Sequence, residues 1–163
     1  MDKITQLIKD MTAYNGGDPK RIQHALKVTG FARVIGDSEG LCGDEMLILL
    51  SAAVLHDIAI KYCEREYSDT QGKLQEREGP RIARPFLEKA GYTANQTERI
   101  LYLIAHHHTY SGIDGADWQI LVESDFLVNL YEDSADISAV RTAYERIFKT
   151  QSGRKICFDM FGL

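Results

Sequence analysis

Residues 47–57 read LILLSAAVLHD, and this stretch decides the fold. The run up to Leu55 is apolar or small throughout, which predicts a helix buried on all sides. His56 and Asp57 follow at its end, where a buried imidazole and carboxylate cost free energy unless something binds them. A divalent metal ion is such a partner, because neutral imidazole and carboxylate both coordinate divalent metals. The stretch therefore predicts a metal site at the end of a core helix.

The rest of the chain has the same helical pattern. Apolar residues recur every three or four positions, prolines are few and β-branched runs are scarce. We expect an all-α bundle of about six to seven helices that forms a single domain over residues 1–163. Gly79 and Pro80 predict the start of one helix. The polar segment before them, residues 61–78, reads as a long loop of the kind that covers a binding site.

The composition narrows the classes of partner. The chain has 163 residues and a formal net charge of -5, which argues against a general binder of nucleic acid or anionic membrane. Its three cysteines form no CxxC pair and suggest neither a disulfide framework nor a cysteine zinc site. No stretch approaches the ~20 apolar residues of a membrane span, and the first residues lack a signal-peptide pattern. We expect a cytoplasmic protein that binds neither membranes nor long nucleic acids.

Two more ionisable residues lie on the inward faces of predicted helices. His24 shares a helical stripe with Val28, and Asp125 follows Leu121 by one turn. Each alone is simply explained as a buried polar group with its own hydrogen-bond partner. Together with the pair that ends the core helix, they would also be satisfied by one shared metal ion. We favour the shared ion, because separate partners would have to be found for every group.

Three consecutive histidines end a later helix. Successive helical residues diverge by about 100°, so His106, His107 and His108 cannot all face one site. His107 follows Ile104 on the inward stripe, whereas His106 is expected to be solvated. For His107 and His108 two readings stay open. One is a structural role, and the other is contact with a second metal, the attacking water or a substrate phosphate.

The ordered set resembles the HD-domain superfamily of metal-dependent phosphohydrolases. The defining order is an isolated His, an adjacent His-Asp pair and a distant Asp, here His24, His56, Asp57 and Asp125, and the likeness spans residues 19–131. The resemblance implies a helical bundle with one divalent metal on these four side chains. The metal could be Mn, Fe, Co, Ni, Zn or Mg. Asp57, together with His107, is the candidate for positioning or deprotonating the attacking water.

Some HD proteins hold a second metal, with an extra His before a Gly on the middle helix. Here Gln75 stands where that His would be, so the sequence argues against a complete histidine-rich second site. Glu78 could substitute as a ligand, although a charge near a helix N-terminus is the simpler role. Gln75 and Glu78 are therefore candidates only for supporting the ligands or for contacting a second ion.

The resemblance implies a small-molecule phosphate ester as substrate, either a phosphomonoester or a phosphodiester, and we favour a nucleotide. The candidates for binding its phosphate are Lys61, Arg21, Arg77 and His108, each of which could instead be an ordinary surface residue. Four aromatic residues could stack on a base but are more simply explained by packing. They are Tyr62, Tyr67, Tyr110 and Trp118.

Two other function classes stay open at this point. A non-catalytic nucleotide sensor would keep the metal as a structural element. A di-iron oxygenase or lyase would need two metals. The apolar segment at residues 156–163 could dock on the bundle or form a homo-oligomer, and docking on its own bundle is the favoured reading.

Overall fold

The computed structural model describes all 163 residues, and every regular element in it is an α-helix, as predicted. The helices number nine, which is more than the sequence indicated. In chain order they are α1 Lys3–Tyr14, α2 Pro19–Ser38, α3 Gly43–Leu55, α4 Ile60–Tyr67, α5 Gly72–Lys89, α6 Ala94–Ile104, α7 Ala116–Glu132, α8 Ile137–Arg146 and α9 Gln151–Phe161.

The additional helices come largely from the segment that the sequence predicted as a loop. This segment forms α4 and the first part of α5, and α5 continues through Pro80 rather than starting there. A proline normally clashes with the Cβ and N–H of the preceding residue in an α-helix. Gly79 has no Cβ, which relieves that clash. It also packs so closely on α6 that a Cβ would lie 2.6 Å from Cγ2 of Ile104.

Helix α3 lies at the centre of the bundle. It packs against α1, α2, α6 and α7, and its residues from Leu49 to Leu55 are all buried. The helix therefore has no solvent-facing stripe, as its apolar sequence predicted. His56 and Asp57 lie in the turn at residues 56–59 that joins α3 to α4.

The segment Gly43–Tyr67 is long and apolar enough to cross a membrane by length and composition alone. The expectation that no stretch reaches that size is therefore corrected. However, 67% of its most apolar window is buried inside the protein. Such burial is typical of the core helix of a bundle, and the turn at residues 56–59 interrupts the segment.

The last helix is anchored by one buried carboxylate. Glu123 of α7 is fully buried and accepts the backbone N–H groups of Lys149 at 2.6 Å and Thr150 at 2.9 Å. The side-chain amide of Gln119 donates to the same carboxylate at 2.7 Å. These bonds hold the start of α9, and its residue Cys157 is buried in the common core. The C-terminal segment thus docks on its own bundle.

Two glycine substitutions should change stability in opposite directions. At Gly153 a Cβ would collide with the buried Glu123 carboxylate and lie 2.7 Å from Oγ1 of Thr150. We expect Gly153→Ala to lower the free energy of unfolding by about 1–3 kcal/mol. At Gly30, inside α2, nothing lies within 4 Å of the new Cβ. Gly30→Ala should therefore raise the free energy of unfolding by about 0.5–1 kcal/mol.

Chemical denaturation of both variants and the wild type measures these changes. A Gly153→Ala protein as stable as the wild type would contradict the tight packing of α9 on α7.

Candidate metal centre

Four side chains that the sequence assigned to a metal converge at one point. His24 comes from α2, His56 and Asp57 from the turn after α3, and Asp125 from α7. Nε2 of His24 lies 3.2 Å from Nε2 of His56 and 3.1 Å from Oδ1 of Asp125. Oδ2 of Asp57 lies 3.4 and 3.5 Å from the same two nitrogens. We call these four residues the central cluster.

Hydrogen bonds on the outer side of the rings determine which nitrogen faces the central cluster. Nδ1 of His56 donates to the carbonyl of Ala53 at 2.8 Å. Because a carbonyl only accepts, the neutral ring carries its proton on Nδ1 and a lone pair on Nε2. Nδ1 of His24 lies 3.0 Å from a carboxylate oxygen of Glu132, which also pairs with Lys27 at 2.6 Å. Both rings thus present Nε2 as a ligand.

The charges of the central cluster stabilise one another. Burial opposes the charged form of His56, but the carboxylates of Asp57 and Asp125 outweigh it and raise the pKa of His56 to about 9. Burial also opposes ionised Asp57, yet His56 and His107 hold the pKa of Asp57 at about 2. Hydrogen bonds from His24 and His56 overcome burial and lower the pKa of Asp125. The carboxylates therefore require nearby positive charge, which a divalent ion would supply.

A second group of ligand atoms shares Asp57. The ligand atoms of Asp57, His107 and His108 lie within 4.8 Å of one another. Nδ1 of His107 is 2.7 Å from the carbonyl of Ile104, so Nε2 again carries the lone pair. This buried Nε2 has no hydrogen-bond partner, although Oδ1 of Asp57 is only 3.4 Å away, because both atoms are acceptors. An unsatisfied buried acceptor is costly, and a cation or a proton between these atoms would satisfy both.

Helix α5 holds the histidine-bearing turn in place. Oε1 of Gln75 lies 3.3 Å from Nε2 of His108, and the Gln75 amide donates to the carbonyl of Thr70 at 2.6 Å. Glu76 accepts the backbone N–H of His108 at 3.0 Å and the hydroxyl of Thr109 at 2.8 Å. Burial, aided by the adjacent histidine, lowers the pKa of His108 to about 4. Sequence reasoning missed Glu76, which no motif distinguishes from other helix carboxylates.

Three predicted site residues lie away from the central cluster. Nζ of Lys61 donates to the carbonyl of Tyr14 at 2.7 Å. Arg77 pairs with Glu78 at 2.9 Å, and Glu78 also pairs with Arg81 at 3.1 Å. Lys61 and Arg77 were expected to reach the site from a long loop, but they lie on helices α4 and α5, where surface contacts hold them. Glu78 belongs to neither group of ligand atoms, so it is not placed to contact a second ion.

A cavity of about 500 Å³ opens onto the central cluster. Of the predicted phosphate-binding residues, Arg21 and His108 line it, as does Gln75. Sequence reasoning missed the other seven lining residues, namely Asp18, Ile60, Thr70, Lys20, Asn129, Glu132 and Asp133. The last three follow Asp125 by four, seven and eight positions. This spacing places them on one face of α7 and could have identified them.

The donor set fits a divalent cation. Two imidazole nitrogens, which give up their protons when a metal binds, face two ionised carboxylates, and the cavity leaves one side open for water or substrate. Nitrogen and carboxylate ligands of this kind accept several first-row metals and do not select one. The metal would be held by His24, His56, Asp57 and Asp125.

Glu132 should control the metal affinity through His24. We expect Glu132→Ala to weaken Mn²⁺ binding by about 10- to 100-fold, because the carboxylate orients the ring and increases its basicity. Titration calorimetry with metal-stripped protein measures the dissociation constant. Asp133→Ala is the matched control, because it removes a neighbouring cavity carboxylate that makes no ion pair with His24. An equal loss of affinity in both variants would mean that Glu132 acts only through its negative charge in the cavity and not through its contact with His24.

Comparison with known proteins agrees with this geometry. A family model described as the HD domain matches residues 21–143, a range that includes the whole central cluster. No curated protein and no solved structure matches the chain. The assignment of residues 1–163 to one domain stays a prediction. The chain belongs to the HD-domain superfamily, whose members bind divalent metals and are generally metal-dependent phosphohydrolases.

Proposed function

We propose that this protein is a metal-dependent hydrolase of a small phosphate ester. The observation that carries the proposal is the opening of the cavity directly onto three residues of the central cluster, His24, Asp57 and Asp125. A purely structural metal is usually enclosed by protein ligands, whereas a catalytic metal keeps a position for water or substrate. Membership of the HD-domain superfamily supports the same reaction class.

When bound, the divalent metal polarises a phosphoryl oxygen and makes water more acidic. Asp57 lines the cavity and is held ionised with a pKa of about 2, so its carboxylate can align the attacking water. His107 lies behind Asp57 and outside the cavity lining, with its unpartnered Nε2 facing Oδ1 at 3.4 Å. We assign to Nε2 of His107 the proton that leaves the water through Asp57.

The phosphate would meet cations at the cavity wall. Arg21 is held there by Asp18 at 3.2 Å and Glu64 at 3.0 Å, which fixes the position of its guanidinium. Lys20 is exposed beside it and can move toward the ligand. His108 has a pKa of about 4, so it would act at neutral pH as a hydrogen-bonding group and not as a cation.

We also propose a cytoplasmic location and a small-molecule partner, in keeping with the net charge of -5. The nucleotide substrate, the identity of the metal and any homo-oligomer stay predictions from the sequence.

A di-iron oxygenase or lyase is a second candidate. The observation in its favour is the second group formed by Asp57, His107 and His108, which could hold another ion. It is weakened by Gln75, whose amide takes the place of an imidazole beside His108. Two iron atoms per chain together with oxygen consumption would favour this candidate over hydrolysis.

Replacement of Asp57 should abolish the activity of the site without unfolding the protein. We expect Asp57→Ala to lower metal-dependent phosphate release by at least about 100-fold, because the variant loses a ligand and the alignment of water. The helical content should stay nearly unchanged, because the site is one spot on a larger core. The assay adds Mn²⁺, Co²⁺, Ni²⁺, Mg²⁺ or Fe²⁺ to metal-stripped protein and measures phosphate release from nucleotides and other phosphate esters.

Asp37→Ala is the matched control, because it removes an exposed carboxylate on α2. Equal activity in the Asp57 variant and the wild type would contradict the assigned chemistry. Metal-loaded wild-type protein that binds nucleotides without releasing phosphate from any ester would favour the sensor class instead.

A further inference from the structure

The residues that line the cavity are almost all polar. Thirteen residues line it, and Ile60 is the single hydrophobic one. Pockets for drug-sized ligands and cofactors are usually lined mainly by apolar and aromatic side chains, which cover the flat faces of the ligand. A nucleobase in particular is stabilised by stacking on an aromatic ring. The cavity offers no Phe, Tyr or Trp ring, and its two imidazoles, those of His24 and His108, are hydrogen-bonded to Glu132 and Gln75.

The aromatic residues that the sequence offered for stacking are engaged elsewhere. Trp118 is 2% exposed and donates its indole N–H to the carbonyl of His106 at 3.1 Å. The ring of Tyr110 packs edge-on against Phe126, with centroids 5.1 Å apart. Tyr62 and Tyr67 pack on each other at 6.1 Å. None of the four lines the cavity, so a base would have to lie against charged and amide groups.

The charge of the cavity limits the charge of its ligand. Two basic side chains, Lys20 and Arg21, face five carboxylates, which belong to Asp18, Asp57, Asp125, Glu132 and Asp133. Lys27 pairs with Glu132 from outside the cavity lining, so Lys20, Arg21 and one divalent ion only balance the other four carboxylates and leave no surplus positive charge. Like charges a few ångströms apart repel, so a single phosphate can be accommodated at the metal far better than a chain of two or three.

The face of α7 beyond the metal ligand is suited to hydroxyl groups. Asn129 and Asp133 follow Asp125 at successive turns and both line the cavity. Glu132 beside them is bound to His24 and Lys27. Asn129 and Asp133 are thus the groups of this wall that can meet a ligand. An amide donates and accepts and a carboxylate accepts, which is the set that vicinal hydroxyls require.

We propose that the substrate is the monophosphate ester of a polyhydroxylated alcohol, that is, a sugar or polyol phosphate, in place of the nucleotide that the sequence favoured. This inference rests on the proposed hydrolase function. The phosphate lies at the central cluster and the hydroxyl groups bind Asn129 and Asp133. In the reaction a water oxygen forms the new bond to phosphorus and the ester P–O bond breaks. The leaving oxygen takes a proton, which yields free polyol and inorganic phosphate.

Ribose 5-phosphate and AMP form a matched pair of test substrates, because they share the ribose and the phosphate. We expect Mn²⁺-loaded protein to hydrolyse ribose 5-phosphate with a kcat/KM at least about 10-fold above that for AMP, since a base gains no favourable contact in this cavity. A kcat/KM for AMP that equals or exceeds that for ribose 5-phosphate would overturn the inference and leave the hydrolase function intact.

The double variant Asn129→Leu, Asp133→Leu tests the hydroxyl-binding wall. We expect its KM for ribose 5-phosphate to rise at least about 10-fold more than its KM for phenyl phosphate, which has no hydroxyl groups to bind. Metal content measured by elemental analysis should equal that of the wild type. The more conservative Asp133→Asn should recover part of the affinity. An equal change in both KM values would contradict the assignment of these residues.

Calorimetric titration distinguishes failure of this inference from failure of the proposed function. If no ester releases phosphate, the hydrolase proposal fails, but the ligand class is still tested by binding to Mn²⁺-loaded protein. Tighter binding of ribose 5-phosphate than of AMP, weakened in the double variant, would support the polyol phosphate. Tighter binding of AMP, or no binding of either compound, would overturn it.

Discussion

The structure depends on the burial of α3 on every side. From Leu49 to Leu55 its four neighbours leave it no face toward solvent, so the residues at its end enter an interior where an uncompensated charge is costly. His56 is fully buried there. The surrounding helices supply the compensation, with His24 from α2, Asp125 from α7 and His107 from the turn after α6. The helices that pack against α3 therefore also supply the side chains of the site.

The outer contacts of the imidazoles explain why the site is ordered before any ligand arrives. In each of the three buried rings Nδ1 is bound on the side away from the site, twice to a backbone carbonyl and once to Glu132. The backbone carbonyls belong to residues three positions earlier in the chain, Ala53 and Ile104. Local helix geometry thus selects the tautomer, and little conformational freedom remains to be lost on binding.

Helices with a strong apolar periodicity could be predicted from the sequence. The positions of side chains that depend on pairing with residues of other helices could not. The inward-facing spacing on separate helices predicted that Asp125 meets the other three residues of the central cluster. The structure places the four side chains together. Pro80 was misread as a helix start, because tertiary packing keeps α5 helical through both Pro80 and Pro85 where propensity alone would end it. Lys61 and Arg77 were predicted to bind phosphate because they were placed on a loop, but that segment is helical. Glu132, seven residues after Asp125, was within reach of the same spacing argument.

Helix α7 is held on opposite faces by two carboxylates only two residues apart. Asp125 faces the central cluster, whereas Glu123 turns away from it and binds the backbone at the start of α9. Loss of α9 would leave a buried carboxylate without its donors on the same turn that carries a metal ligand. The C-terminal helix and the metal ligand Asp125 thus contact the same turn of α7, and we expect a shortened chain to lose ion affinity before it loses its helices.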